Sequence, residues 1–154
     1  LSRTEEARAI LIEVILNIVR IPGEVNTDNG LKSKHWNSIT LSFNDTAPKI
    51  MRCSKVQLQS QYKEMKITNQ IFQRLVDNSG FGWNGEKKLP TADNEVWESY
   101  LSAHPEARKF RTTTLPNYEE LHQIFTGKVA TGRNTQTFGS VIGLQHQKCN
   151  RTVF

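Results

Sequence analysis

Apolar residues recur at helical spacing through the first half of the chain and predict three helices. The first helix follows an N-cap at Ser2, with Thr4 as an alternative N-cap, and ends before Pro22. A shorter second helix is predicted over residues 32–43. The third has its N-cap at Ser54 and is predicted over residues 55–77. Its apolar face is narrow, which predicts one buried side and one side in water. That face carries Leu58, Tyr62, Met65, Phe72 and Val76.

A glycine-flanked pair of aromatic residues, Phe81 and Trp83, follows the third helix. The preceding Gly80 predicts that the helix ends in a left-handed turn, after which the rings fold back onto its exposed apolar end. A fourth helix capped at Asp93 and a last one over residues 118–125 are predicted beyond them. The pattern therefore predicts an all-α fold, in which aromatic side chains hold a helical C-terminal extension on three core helices.

The chain divides into three predicted parts. Residues 3–77 form a three-helix domain, residues 78–126 form the extension packed on it, and residues 127–154 form a polar basic tail. The tail is rich in Gly, Thr, Asn and Gln, a composition compatible with a mobile tail, a docked strand or a partner-binding arm. A chain that starts without methionine is consistent with a fragment of a longer protein.

Length and composition limit the number of domains and the class of protein that the chain can form. A length of 154 residues fits one ordinary domain, or a small one with appendages. The mean hydropathy is −0.55, and no apolar run approaches the ~18 residues of a spanning helix, so no membrane span is predicted. Cys53 and Cys149 are far apart and lack CxxC spacing, which fits free thiols in a reducing compartment better than a disulfide framework.

The net charge of +5 is unevenly distributed along the chain. Residues 51–76 hold five Lys/Arg and one acid, residues 77–106 hold two and six, and residues 107–154 hold seven and two. The basic third helix is a candidate electrostatic footprint for nucleic acid. The acidic segment 77–106 is an alternative surface that suits a basic protein partner, and the tail is another.

No cluster of residues predicts catalysis or a bound cofactor. The four histidines are scattered, and they form no recognised metal-ligand pattern. The run Gly80-Phe-Gly82 is too short for a phosphate loop and follows a helix instead of a strand. We therefore expect no enzyme activity, no metal, no cofactor and no small-molecule substrate. Glycosylation sequons begin at Asn44 and Asn150, and chance explains them better in a chain without a secretory signal.

Several short motifs give the chain a resemblance to a known family. They are Gly30-Leu-Lys-Ser-Lys-His-Trp36, Gln57-Leu58 through Tyr62-Lys63, Ser79-Gly80-Phe81-Gly82-Trp83, and Asp93-Asn-Glu-Val-Trp97 with His104-Pro105 and Phe110. In this order and spacing, from Arg3 to Phe125, the chain resembles the Myb/SANT-like DNA-binding domains of plant, fungal and transposon-related proteins. Two positions depart from the family's pattern. Arg3 stands where a tryptophan usually precedes the threonine, and Tyr62 replaces tryptophan as the third ring.

The resemblance implies a helix-turn-helix core whose third helix enters the major groove of double-stranded DNA. The expected contacts lie on the side of that helix opposite its apolar face, with bases read near the third ring and phosphates held by the surrounding cations. The base contacts are expected at Gln59, Ser60 and Lys63, and the phosphate contacts at Arg52, Lys55 and Lys66. The expected protein is nuclear, and it is either a transcription regulator or transposon-derived. The alternative is a SANT-type protein-interaction module, for chromatin or recruitment, that does not bind DNA.

Overall fold

The computed structural model describes residues 2–26 and 30–127, and the predictions for the tail from residue 128 onward lie outside them. This part of the chain contains α1 (Arg3–Val19), α2 (Ser33–Thr46), α3 (Lys55–Asp77), α4 (Asn94–Ala103) and α5 (Tyr118–Thr126). A hairpin pairs β1 (Gly82–Asn84) with β2 (Leu89–Thr91), and short 3₁₀ turns lie at Lys49–Met51 and Pro105–Arg111. None of the helices in these residues has the length and apolarity needed to cross a bilayer.

Local sequence explains where the first three helices begin and end. Ser2 Oγ accepts a hydrogen bond from the Glu5 amide at 3.2 Å, and the Glu5 carboxylate accepts one from the Ser2 amide at 2.8 Å. Ser54 and Gln57 form the same reciprocal pair at the start of α3, at 3.2 and 2.8 Å. Both predicted N-caps are confirmed. Helix α2 runs three residues beyond its predicted end, because Pro48 restricts only the residue directly before it.

Four helices share one core, in which α2 and α5 each pack against both α1 and α3. Helix α1 is buried around most of its circumference because it has these two neighbours. Its buried residues are Ala9, Ile10, Leu11, Ile12, Val14, Ile15 and Leu16. On α3, the Tyr62 ring meets Trp36 of α2 edge-on and Phe125 of α5 at a tilt, each with 5.2 Å between centroids. Helix α5 is therefore a member of the core.

A second group of aromatic side chains joins the later half of α3 to the segment that follows it. The Phe72 ring of α3 is fully buried, and three rings surround it edge-on. At 6.0, 5.0 and 4.8 Å between centroids, these rings belong to Trp83, Phe110 and Tyr118. Phe81 packs instead on α4, where its ring meets Trp97 at 4.7 Å. The two rings of the glycine-flanked pair thus contact different helices.

The all-α prediction is correct for the helices and wrong for the segment between α3 and α4, which forms the hairpin. Gly82 pairs with Thr91 and Asn84 with Leu89, and the turn between the strands places Lys88 at a φ of 55°. A Cβ on Gly82 would lie 2.8 Å from the Thr91 side-chain oxygen, so glycine allows the strands to approach closely here. Strands of three residues are too short to show the alternation by which a sequence pattern reveals a strand.

The predicted left-handed turn at Gly80 is also wrong. Helix α3 ends at Asp77, its C-cap residue Asn78 is extended, and Gly80 is not among the residues with positive φ in the described part of the chain. The Asn78 side-chain oxygen accepts a hydrogen bond from the Gly80 amide at 2.8 Å. This side-chain turn redirects the chain, so the helix end needs no left-handed residue.

A polar contact holds α5 on α3 in addition to the rings. Gln73 Oε1 accepts a hydrogen bond from the Tyr118 hydroxyl at 2.6 Å and lies 3.0 Å from His122 Nδ1. Burial raises the pKa of Tyr118 to about 12 and lowers the pKa of His122 below its usual 6.5. Tyr118 and His122 are therefore both neutral at neutral pH in this buried position.

We expect the free energy of unfolding to decrease as the pH falls below 6.5 toward the lowered pKa of His122. The unfolded chain takes up this proton at a higher pH than the folded chain, so the contribution is complete above the ordinary pKa and is lost below it. Urea unfolding between about pH 8 and pH 5 measures the effect. A His122→Gln variant should show a shallower pH dependence than the wild type, and parallel curves would contradict the assignment.

An open cavity of about 270 Å³ lies between the start of α1 and the turn that leads from α2 to α3. It is lined by three arginines, Arg3, Arg8 and Arg52, and by apolar residues that include Ala7, Leu11, Phe43, Met51 and Leu58. Arg3 stands where the family described above usually has a tryptophan. Because Arg3 lines this space, an indole at position 3 is placed to fill part of it.

We expect Arg3→Trp to raise the free energy of unfolding by about 0.5–2 kcal/mol, since the indole fills the cavity. Urea unfolding at neutral pH measures the change. Arg3→Ala is the matched control, because it removes the same positive charge from the first turn of α1 without filling the space. An Arg3→Trp variant no more stable than Arg3→Ala would show that the tryptophan position and the cavity do not coincide.

Candidate nucleic-acid interface

The two long sides of α3 differ in chemistry. The buried side consists of Leu58, Met65, Asn69, Phe72 and Leu75. At about 3.6 residues per turn, the opposite side carries Val56, Ser60, Lys63 and Ile67, all of them exposed. These four residues form what we call the outer strip. Helix α3 thus presents one continuous surface to water along its first three turns.

Most of the predicted DNA-binding residues lie on or beside the outer strip. Ser60 and Lys63 belong to it, and Gln59 and Lys66 lie on the adjoining flank, on the same side of the helix as Lys55. Lys63 and Lys66 are exposed, and neither is in an ion pair with any described residue. Their ammonium groups are therefore available to an anionic partner.

Lys55 and Arg52 are placed differently from these four. Lys55 is half-buried, and its ammonium donates to Asn37 Oδ1 of α2 at 3.2 Å. Arg52 precedes α3 and lines the cavity with Arg3 and Arg8, on the side of α3 that faces α1. Five of the six predicted residues thus form a row along α3, and Arg52 lies apart from them. Arg3 and Arg8, which lie near Arg52, were not predicted from the sequence.

Sequence reasoning also missed two residues of the outer strip. Val56 and Ile67 are 72% and 49% exposed, although both are apolar. The signal was present in the sequence, because Val56 stands four residues before Ser60 and Ile67 four residues after Lys63. Helical spacing therefore puts all four on the same side, away from the apolar face.

The Asn44 side chain, near the end of α2, determines how the chain enters α3. Its amide nitrogen donates to the Cys53 carbonyl at 2.9 Å, and its amide oxygen accepts from the Cys53 N–H, also at 2.9 Å. Because both backbone groups of one residue are bound, the start of α3 is held in a fixed direction relative to α2. The same contact occupies the nitrogen that a glycan would need, which agrees with a chance sequon at Asn44.

His35 holds the loop that precedes α2. The imidazole is buried, its Nδ1 accepts a hydrogen bond from the Lys32 amide at 2.8 Å, and its Nε2 lies 3.2 Å from Glu24 Oε1. Glu24 also accepts a hydrogen bond from Lys34 at 2.7 Å, and that bond is the main reason why the pKa of the Glu24 carboxyl is lowered. The histidine before Trp36 therefore has a structural explanation.

Part of the acidic charge of segment 77–106 is used within the protein. Asp77 accepts a hydrogen bond from Gln73 at 2.8 Å, and Glu98 forms an ion pair with Arg111 at 2.9 Å. Across residues 2–26 and 30–127, no three His, Cys, Asp or Glu side chains come together as a metal site requires. Asp77 and Glu98 thus have polar partners within the protein, whereas Lys63 on the outer strip and Lys66 on its flank have no ion-pair partner among the described residues.

The sequence pattern of one protein family, the Myb/SANT-like DNA-binding domain, matches residues 4–100. The chain belongs to this family. The match runs from α1 into α4, so the hairpin lies within the family's segment together with the first three helices. The family is a DNA-binding one and is non-enzymatic in general.

Two Arabidopsis thaliana proteins are similar to the chain. The uncharacterized protein At2g29880 is 35% identical over 94 residues, which make up 59% of this chain and 30% of that protein. The L10-interacting MYB domain-containing protein is 26% identical over 104 residues, which make up 68% of this chain and 23% of that protein. The chain thus spans less than a third of the length of either relative. No solved structure is significantly similar to the chain.

We expect Asn44→Ala to lower the free energy of unfolding by about 1–3 kcal/mol, because the Cys53 N–H and carbonyl lose their partner in a half-buried place. Asn44→Asp keeps the acceptor for the N–H but sets a carboxylate oxygen against the Cys53 carbonyl oxygen, so it should also lower the free energy of unfolding. Chemical denaturation of the three proteins measures both effects. Equal stability of wild type and Asn44→Ala would show that this contact does not hold α3.

Proposed function

We propose that the chain binds double-stranded DNA by inserting α3 into the major groove. The observation that carries the proposal is the two-sided character of α3, whose buried side is anchored to α2 and α5 while its outer strip is exposed. The strip and its flank together carry three lysines, of which Lys63 and Lys66 are exposed. A helix of this diameter fits the major groove, which is about 12 Å wide. Membership in a DNA-binding family supports the same conclusion.

The proposed roles follow from where the side chains lie. Gln59, Ser60 and Lys63 lie on or beside the exposed centre of α3, where a helix in the groove faces base edges. Gln59 can pair with the N6 and N7 atoms of adenine, Ser60 can donate or accept, and Lys63 can reach a guanine edge or a phosphate. Lys66 and Lys55 on the flank are proposed to hold one phosphate backbone.

Arg52 is proposed to hold the opposite phosphate backbone. It lies on the other side of α3, next to Arg3 and Arg8 around the cavity. Cations on both sides of a helix in the groove suit the two strands that border it, and each neutralised phosphate releases counterions. Arg3 and Arg8 thus extend the proposed footprint from the turn before α3 onto α1.

The biological setting we propose is nuclear, in a transcription-regulatory or transposon-derived protein. One domain of this size makes few base contacts, so modest affinity is expected unless another domain or a second copy contributes. A second candidate function is protein interaction. The name of one relative, the L10-interacting MYB domain-containing protein, reports an interaction with L10 for that relative. In this chain, the acidic segment 77–106 is the surface that we would assign to such a partner.

The test is fluorescence anisotropy with a mixed-sequence duplex across a salt series from about 50 to 200 mM. We expect affinity to fall steeply with salt for the wild type. For Lys63→Ala/Lys66→Ala, we expect weaker binding and a salt slope smaller by about 1 to 2, because each lost phosphate contact removes about 0.9 from the slope.

Lys87→Ala/Arg108→Ala is the matched control, since it also removes two exposed positive charges but takes them from the hairpin turn and the segment after α4. This control should keep a slope close to that of the wild type. Equal losses of affinity and of salt slope in the two double variants would show that binding depends on net charge and not on α3. No binding by the wild type at low salt would reject DNA binding and favour the protein-interaction alternative.

A further inference from the structure

The starting observation is an exposed valine in the first turn of α3. Val56 is 72% exposed, the highest value among the large apolar side chains of the described residues. Isolated exposed apolar residues are common on protein surfaces. Val56, however, lies on the outer strip, one turn from Ser60 and two turns from Lys63, on the helix that we propose enters the groove.

The major groove offers one apolar group to such a side chain. Base edges there present hydrogen-bond donors and acceptors, and thymine alone adds a C5-methyl group. Residues near the N-terminus of a recognition helix are the ones that meet base edges. Val56 is the second residue of α3, whereas Ile67 lies about 16 Å further along the helix axis. The chemistry and position of Val56 therefore both suit a thymine methyl.

The surroundings of Val56 favour a nucleic-acid contact over a protein contact. Its neighbours on the exposed side of the helix are Lys55, Gln59, Ser60 and Lys63. The buried centres of protein interfaces are depleted of charged residues and enriched in aromatic ones. A single aliphatic side chain among lysines and hydrogen-bonding groups matches the edge of a base pair, which is mostly polar and carries at most one methyl group.

We propose that Val56 packs against the C5-methyl group of a thymine and gives the domain a preference for thymine at one position of its site. The proposal rests on the DNA binding proposed above. It adds a specificity-determining residue to Gln59, Ser60 and Lys63, and it makes apolar contact part of the base readout.

The test compares thymine with deoxyuridine, which lacks only the C5-methyl group. The wild-type chain first selects a duplex from a random pool. A set of duplexes is then made in which each thymine of the selected site is replaced in turn by deoxyuridine, and the dissociation constant is measured for each. At one position, we expect the wild type to bind the deoxyuridine duplex about fourfold more weakly than the thymine duplex, because burying one methyl group changes affinity by about this factor. Val56→Ala should show a smaller difference between the two duplexes, because it removes the two γ-methyl groups and keeps only the Cβ methyl.

Val96→Ala is the matched control, because it makes the same chemical change at an exposed valine on α4. It should keep the full thymine preference. The proposal is overturned if the selected site lacks thymine, if no single replacement weakens wild-type binding, or if Val56→Ala keeps the full preference of the wild type. In these cases binding itself persists, so the DNA-binding proposal stands. If the wild type binds no duplex at low salt, both proposals fail together.

Discussion

One-sided burial of α3 is the constraint on which the rest of the structure depends. A helix of 23 residues with a narrow apolar face needs partners along its whole length on that face and none on the other. Tyr62 meets this need in the first half, where its ring lies between Trp36 of α2 and Phe125 of α5. Phe72 meets it in the second half. Ring pairs of this geometry stabilise by about 0.5–1.5 kcal/mol each beyond their buried area, so the aromatic contacts fix α3 strongly.

The proposed DNA-binding surface is the side of α3 that this packing leaves uncovered. Because α2 and α5 cover only one side of α3, the outer strip stays in water, and Lys63 on the strip and Lys66 on its flank have no ion pair with described residues. The Asn44 contact to Cys53 then holds the start of the helix, which is the end that would meet base edges. A rigid helix with a preformed polar surface needs little ordering when it binds, and that favours affinity.

Features set by neighbouring residues were predictable from the sequence, and features set by distant contacts were not. Ser2 and Ser54 bond to residues three positions away, so their caps could be read directly. The hairpin depends on pairing across a turn, and its short strands carry no periodic signal. Helix α5 was predicted from its own apolar face, but its place in the core depends on contacts with α1 and α3 that no local pattern reveals.

In the candidate site too, features set by neighbouring residues were predictable from the sequence and features set by distant contacts were not. Ser60 and Lys63 follow from helical spacing, and Val56 could have been found by the same count, since it lies four residues before Ser60. The separation of Arg52 from the row on α3 could not have been predicted, because it depends on how the turn before α3 packs against α1. The hydrogen bond from Lys55 to Asn37 depends likewise on the angle between α2 and α3.

The most direct measurement is an NMR titration of the isotope-labelled chain with duplex DNA, read at each backbone amide. The account predicts that the perturbed amides cluster over residues 52–67, on the turn before α3 and its first three turns, with a second group at residues 3–8 of α1, where Arg3 and Arg8 lie beside Arg52. Amides of α4 and the 3₁₀ turn after it should be unaffected. Perturbations centred on segment 77–106, or scattered evenly over the surface, would contradict a DNA interface built on the outer strip of α3.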